Sequence, residues 1–292
     1  MNAQPIPSSS PAWFVLDTAT MPFEEVPGNP GARRHTLLEV PEAPGFVRIV
    51  YGPPGFSSNV QSLLQHGPHR HYHRSVTERH YILAGDYPIW HWVDAAEGHM
   101  TRLRRHHYLE NPPRTVHGIM PGSVPQTGYG IVQWTDGFGT ELFEPGADAE
   151  TLTVPPEARL DPGELRRPIL VHAEDLPWSA HASVGDWTIR ELGAATPTCP
   201  PARLVNIPAH GAKPLRLAPM TSSRWLWLLI ISGDLRVRAR DATDGGAGDA
   251  LSLREGAFLA WRSGASVVVE RERASGGGCV ALCIGHDLAT TA

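Results

Sequence analysis

The chain has 292 residues, 25 basic and 30 acidic, for a formal net charge of −5, which gives no electrostatic reason to expect nucleic acid as a partner. Apolar content of 41%, with 29 glycines and 28 prolines, excludes a disordered chain and fits a turn-rich, mainly β globular protein. Only Lys213 is a lysine, which nearly excludes Schiff-base chemistry and leaves arginine as the anion contact.

In chain order, residues 1–12 read as a flexible tail. Met1 to Ser10 has neither the positive flank nor the apolar core of an export signal. Ordered structure is expected from Trp13 to Leu16 and at Met21-Pro22-Phe23. Strand candidates follow at His35 to Val40, Phe46 to Tyr51, Tyr81 to Leu83, Ile89 to Val93, Tyr108-Leu109 and Tyr129 to Trp134. Gly, Pro, Asn and Asp separate them at close intervals, the signature of a sandwich or barrel. Gly146 to Pro168 is rich in Pro, Ala and Glu and reads as a linker, with one short helix capped by Asp161 and carrying Pro162 and Glu164 in its first turn. The longest apolar run, Trp225 to Ile231, is too short to cross a bilayer. Three cysteines, Cys199, Cys279 and Cys283, lack zinc-finger spacing and point to a reduced cytoplasm; Cys279 and Cys283 lie in an apolar run that reads as a buried strand.

The stretch His69 to Gly85 carries the chemistry. Successive side chains of a strand point to opposite faces, so His69, His71 and His73 share one face. Neighbours on that face sit about 7 Å apart, close enough for two imidazoles to meet one ion at about 2.1 Å. Glu78 lies five residues after His73, on the wrong face of an unbroken strand, so the chain must bend or bulge through Arg74 to Thr77. Alternation then resumes, with His80, Ile82 and Ala84 on one face, until Gly85-Asp86 ends the strand with turn chemistry. Further on, Pro112-Pro113 fixes a rigid turn, and a short strand delivers His117. Three histidines and one carboxylate suit a divalent first-row ion, and octahedral geometry would leave two positions open.

The pattern His-x-His-x4-Glu-x6-Gly, as His71, His73, Glu78 and Gly85, resembles the first motif of the cupin superfamily. Pro112 followed by His117 resembles the second, Gly-x5-Pro-x-Gly-x2-His, with His106 and Arg114 standing in its two glycine slots. Those departures affect turns rather than ligands. Ten of the fifteen histidines fall between His66 and His117, but a merely histidine-rich surface would not need the glutamate, the glycine and the Pro-to-His spacing to agree.

The pattern repeats at an offset of 148 to 155 residues. Leu16, Met21, Pro22 and Phe23 return as Val171, Leu176, Pro177 and Trp178; Leu83 to Asp86 as Ile231 to Asp234; Tyr108-Leu109 as Phe258-Leu259. The slots of His71, His73, Glu78 and His117 hold Pro219, Thr221, Leu226 and Val267 in the second copy, which keeps the motif glycines Gly256 and Gly264. The resemblance therefore implies an all-β chain of two tandem cupin (jelly-roll) barrels. A metal-binding N-terminal cupin is expected at 13–145, a linker at 146–168 and a C-terminal cupin without ligands at 169–292.

Around the site, His69 and His80 share the ligand faces, Arg79 and Arg114 flank ligands and could hold a carboxylate or phenolate, and Gln133 or Trp134 could face the pocket. Trp90 and Trp92 alternate with His91 and read as core packing. Proteins resembling this ligand set include dioxygenases, decarboxylases, isomerases and non-catalytic sensors. The expectation is a non-haem Fe(II) dioxygenase acting on a small oxygenated or aromatic compound, with one metal per chain; Mn, Ni, Cu and Zn stay open, and Glu78 could instead act as base. The alternatives are a Zn-binding sensor, or a metal-dependent lyase, isomerase or decarboxylase. A cytoplasmic homodimer with a small-molecule substrate, and neither nucleic-acid nor membrane partner, completes the expectation.

Overall fold

Side-chain alternation makes the strands. Along Asp234–Asp241, Leu235, Val237 and Ala239 are buried while Arg236 is exposed and Arg238 half-buried, the period of two of a sheet with one face on a core. A computed structural model describes residues 12–26, 31–39, 45–54, 71–92, 98–118, 127–137, 141–142, 166–180, 186–194, 201–208, 215–217, 225–241, 249–262, 265–270 and 278–284. Strands make up most of the described residues; their one helical turn is Ala173–Asp175. No helix among them is long and apolar enough to cross a membrane. Residues 1–11, His69, Cys199, Pro219, Thr221, Gly264 and the expected linker helix at 161–164 lie outside them.

Two compact units divide the chain, one of residues 1–21 and 173–292 with 40–43, the other of residues 22–39 and 44–172. The first contains a seven-stranded antiparallel sheet and a four-stranded sheet. Both sheets contribute to one apolar core, including Trp187, Leu228, Val237, Leu259, Trp261 and Val267. Cys279 and Cys283 belong to that core, and burial pushes both thiols up to about 12. In a Cys199→Ala background both are expected to ignore a thiol reagent at pH 8 and to react only after urea unfolding. Reaction in the folded protein would contradict their burial.

In the other unit one strand serves both layers. Glu78–Trp92 pairs through Glu78–Tyr81 with His107–Asn111 and through Glu78–Gly85 with Tyr129–Thr135; beyond Gly85 it pairs with Gly98–Arg104 and Val116–Gly118. The expected end at Gly85-Asp86 is thus corrected: Gly85, at φ +75°, turns a corner between ladders without breaking the strand. A Cβ there would meet the Gly128 carbonyl oxygen at 2.1 Å. Gly85→Ala combines that clash with left-handed strain and is expected to cost at least about 2 kcal/mol, read as a lowered denaturant midpoint.

The second copy keeps these irregularities. Gly233 has φ +78°, and the ladder slip that leaves out Leu83 recurs at Ile231. The glycine slots are equally informative: His106 and Arg114 have φ 68° and 70°, and Gly256, the counterpart of His106, has 83°. The backbone therefore keeps its left-handed turns where the side chains have changed.

One feature of the pairing lies outside the sequence expectations. Trp13–Asp17 pairs with Ala257–Trp261, Leu16 opposite Phe258, inside the unit of residues 173–292. Ile169–His172 pairs with His107–Asn111, Val171 opposite Tyr108, inside the unit of residues 44–172. The first strand of each sequence repeat thus completes the sheet formed by the other repeat.

Candidate metal centre

Strand pairing brings the four expected ligands together. His71 and His117 are direct partners in the ladder between His71–Tyr72 and Val116–Gly118. The chain bends at Arg74-Ser75, and Glu78 opens the long strand facing back at the histidines. The ligand atoms of His71, His73, Glu78 and His117 all lie within 4.8 Å of one another, and all four side chains but the half-buried His71 are buried. Imidazole centroids are 4.3 Å apart for His71 and His117, 5.4 Å for His71 and His73, and 5.6 Å for His73 and His117.

Each polar partner fixes a ligand. His117 donates from Nδ1 to the Thr115 carbonyl oxygen at 2.8 Å, which aims its Nε2 at Glu78 Oε2, 2.7 Å away. Asn111, directly opposite Glu78 in the ladder, donates from Nδ2 to Oε2 at 3.2 Å, and its Oδ1 lies 3.1 Å from His91 Nε2. Gln133 donates from Nε2 to Glu78 Oε1, and His80 Nε2 lies 3.4 Å from that oxygen. Burial by itself would raise the Glu78 carboxyl, but the neighbouring His80 and His117 imidazoles outweigh it and hold the group well below the usual carboxylate range. His71 is held well below its ordinary value by burial and then by His117. His91 falls to about 4, through burial and then His117, against the opposing Asn111 hydrogen bond. His71, His91 and Glu78 are therefore neutral, neutral and anionic at neutral pH.

This donor set fits a divalent first-row ion. Two donors about 2.1 Å from one ion are at most about 4.2 Å apart, so a small inward shift would seat all four. His71 Nδ1 is buried and makes no hydrogen bond, and both ring nitrogens of His80 are likewise unsatisfied. Such orphaned polar atoms are costly beside a carboxylate unless a ligand engages the site. In the equivalent second-copy slots Leu226 and Val267 are buried in the apolar core, where no donor exists.

The flanking residues separate into two groups. Gln133 and His80 adjoin Glu78, as described. Arg79 points to the other face of its strand, fully buried, with Nε 2.9 Å from Glu110 Oε2. Arg114 is half-buried, and its backbone N–H donates to the His73 carbonyl at 2.7 Å. Trp90 and Trp92 stack on each other at 6.3 Å on the face away from His91. Sequence reasoning missed His91 and Asn111. The signal for His91 was its alternation with two indoles; for Asn111 it was the last position of a strand whose register places it opposite Glu78. Asn111→Ala is expected to weaken metal affinity 10–100-fold without abolishing it, measured by competition with a chromophoric chelator.

No protein-family model matches the chain, and no curated protein matches it. Solved structures do. Oxalate decarboxylase from Bacillus subtilis, as a deletion mutant, is 16% identical with a TM-score of 0.58, the match covering 95% of this chain and 78% of that one. The putative glyoxylate-induced protein from Pseudomonas aeruginosa is 12% identical at TM-score 0.60, covering 96% and 91%. Protein Ylba from E. coli, of family-model DUF861, is 9% identical at TM-score 0.57, covering 93% and 90%. At these identities the likeness carries the fold alone.

Proposed function

We propose that this chain, which has the cupin fold, is a metal-dependent enzyme in which His71, His73, Glu78 and His117 hold one Fe(II) and a small oxygenated or aromatic compound is cleaved at a carbon–carbon bond by dioxygen. The observation that supports this reading is the buried set of three imidazoles and one carboxylate, which leaves two octahedral positions for substrate and dioxygen. Bound there, the ion supplies Lewis acidity toward an enolate or phenolate oxygen and an electron source for dioxygen. The chain does the rest. Thr115 fixes the His117 tautomer, Asn111 and Gln133 keep Glu78 oriented as the anion, and His73, Glu78 and His117 are themselves buried. His80, beside Glu78 with both ring nitrogens unsatisfied, is placed to take the proton that substrate loses, and the carboxylate stabilises the imidazolium formed.

A second reading, a metal-dependent decarboxylase or lyase, is favoured by the structural likeness to an oxalate decarboxylase. One experiment separates the two. Protein purified without tag or chelator is loaded anaerobically with Fe(II) or Mn(II) and assayed for oxygen uptake with catechols and 1,3-diketones, and for carbon dioxide release from small carboxylic acids. Fe(II)-dependent oxygen uptake supports the dioxygenase, and carbon dioxide release without oxygen supports the second reading. Tightly held Zn with neither activity overturns both.

A further inference from the structure

The barrel end at the Gly85 corner carries a second concavity, a cleft of about 610 Å3 walled by Phe23, Arg33, Tyr51 and Tyr129. That volume suits a small organic ligand. No metal-ligand residue lines it, and Gly85 stands seven residues along the strand from Glu78, on the order of 20 Å of extended chain. Buried Tyr87 stands between, its ring 4.9 Å from Tyr129 and 5.5 Å from His80.

Aromatic rings cover both faces of the ladder at this end: Tyr129 faces Gly52 on one and Tyr51 faces Gly130 on the other. A Cβ on Gly52 would meet the Tyr129 ring at 2.3 Å, and one on Gly130 would meet the Tyr51 ring at 3.4 Å, so each ring lies across the partner strand's glycine. Phe23 is 51% exposed, yet its ring is held in place, stacked on His35 at 4.2 Å and edge-on to Tyr51 at 5.3 Å. Arg33 supplies the charge. Its guanidinium lies over the Phe23 ring, 5.8 Å from its centre, and although Glu25 is its direct partner in the ladder, Arg33, unlike Arg34 with Glu24, makes no ion pair among the described residues. A half-exposed aromatic ring beside a solvent-exposed guanidinium matches a flat ring that carries an anion.

We propose that this cleft binds a small planar aromatic carboxylate, with its ring against Phe23 and Tyr51 and its carboxylate on Arg33, independently of the metal centre. The test titrates benzoate, benzamide and acetate into the full chain by ligand-observed NMR, in the wild type and in Glu78→Gln, which removes the metal ligand but none of the cleft. Saturable benzoate binding is expected in both, with benzamide about tenfold weaker and acetate not bound. Arg33→Gln, at an exposed position, is expected to weaken benzoate about tenfold at unchanged metal content, and Phe23→Ala to do the same. Four results would overturn the proposal: no saturable benzoate binding; equal affinity in Arg33→Gln; loss of binding in Glu78→Gln, which would move the ligand to the metal centre; or a dimer that dissociates in Phe23→Ala without benzoate binding, which would make the patch an interface. Should Phe23→Ala fail to fold, Arg33→Gln decides.

Discussion

His117→Ala is expected to strip the protein of metal: about one divalent ion per chain in the wild type, by elemental mass spectrometry on tag-free protein, and less than a tenth of that in the variant. His117 is the best single probe because its strand stands between the other parts of the site, with His71 opposite on one side and His91 on the other. Its tautomer is already set by the Thr115 carbonyl, so alanine removes a prepared donor rather than a mobile one. A linked stability effect follows, since an ion present at about 1,000 times its Kd stabilises the folded state by about 4 kcal/mol. Chelation should therefore lower the wild-type Tm and leave that of His117→Ala unmoved. Full metal content in the variant would sink the site. One ion per chain rather than two is also expected, because Leu226 and Val267 fill the equivalent interior with aliphatic side chains.

The ligands were legible because metal coordination imposes spacing on the sequence. Two histidines at i and i+2 need a strand, and a glutamate at an odd separation needs a bend, which the structure places at Arg74-Ser75. The groups that orient those ligands follow a different rule. Asn111 reaches Glu78 because two strands 33 residues apart fall into one register, and nothing local to either segment specifies that register. Arg79 beside Glu78 could be read as a substrate contact for the same reason: its partner Glu110 is 31 residues away.

The fold divides similarly. Alternation and turn residues gave most strands to within a few positions, and the repeat implied two copies of one architecture. The reciprocal first strands were not legible, because Trp13–Asp17 and Ile169–His172 are repeat equivalents and the edges they join, Ala257–Trp261 and His107–Asn111, are also equivalents. Either strand has the pattern to pair with either edge, so local pattern is degenerate between exchange and no exchange. The Gly85 corner misled for another reason. Glycine with φ above zero usually marks a turn, but here both flanks keep ladder partners, and the same backbone freedom carries one strand between two layers.

Arg79 also gives the second large effect. Removing either member of its ion pair, by Glu110→Ala or Arg79→Ala, is expected to cost about 3–5 kcal/mol, because the remaining charge is left buried without its partner. Arg79 is 0% exposed and Glu110 4%; Nε and Oε2 are 2.9 Å apart, and the Tyr108 hydroxyl donates to the same Oε2 at 2.6 Å. The pair joins directly opposed residues of adjacent strands, so losing it also loosens the ladder that holds Asn111 opposite Glu78. At about 2–4 °C per kcal/mol for a unit of this size, Tm should fall by roughly 10 °C. The double variant Arg79→Met/Glu110→Leu should recover much of that loss, since it removes both desolvated charges together. A substrate-binding arginine would behave differently: Arg79→Ala would leave Tm within about 1 °C of wild type and raise KM, and Glu110→Ala would have no reason to match it. Matched stability losses with metal content retained at low temperature would show that the arginine next to the ligand glutamate holds the barrel wall and leaves the chemistry to the opposite face of the strand.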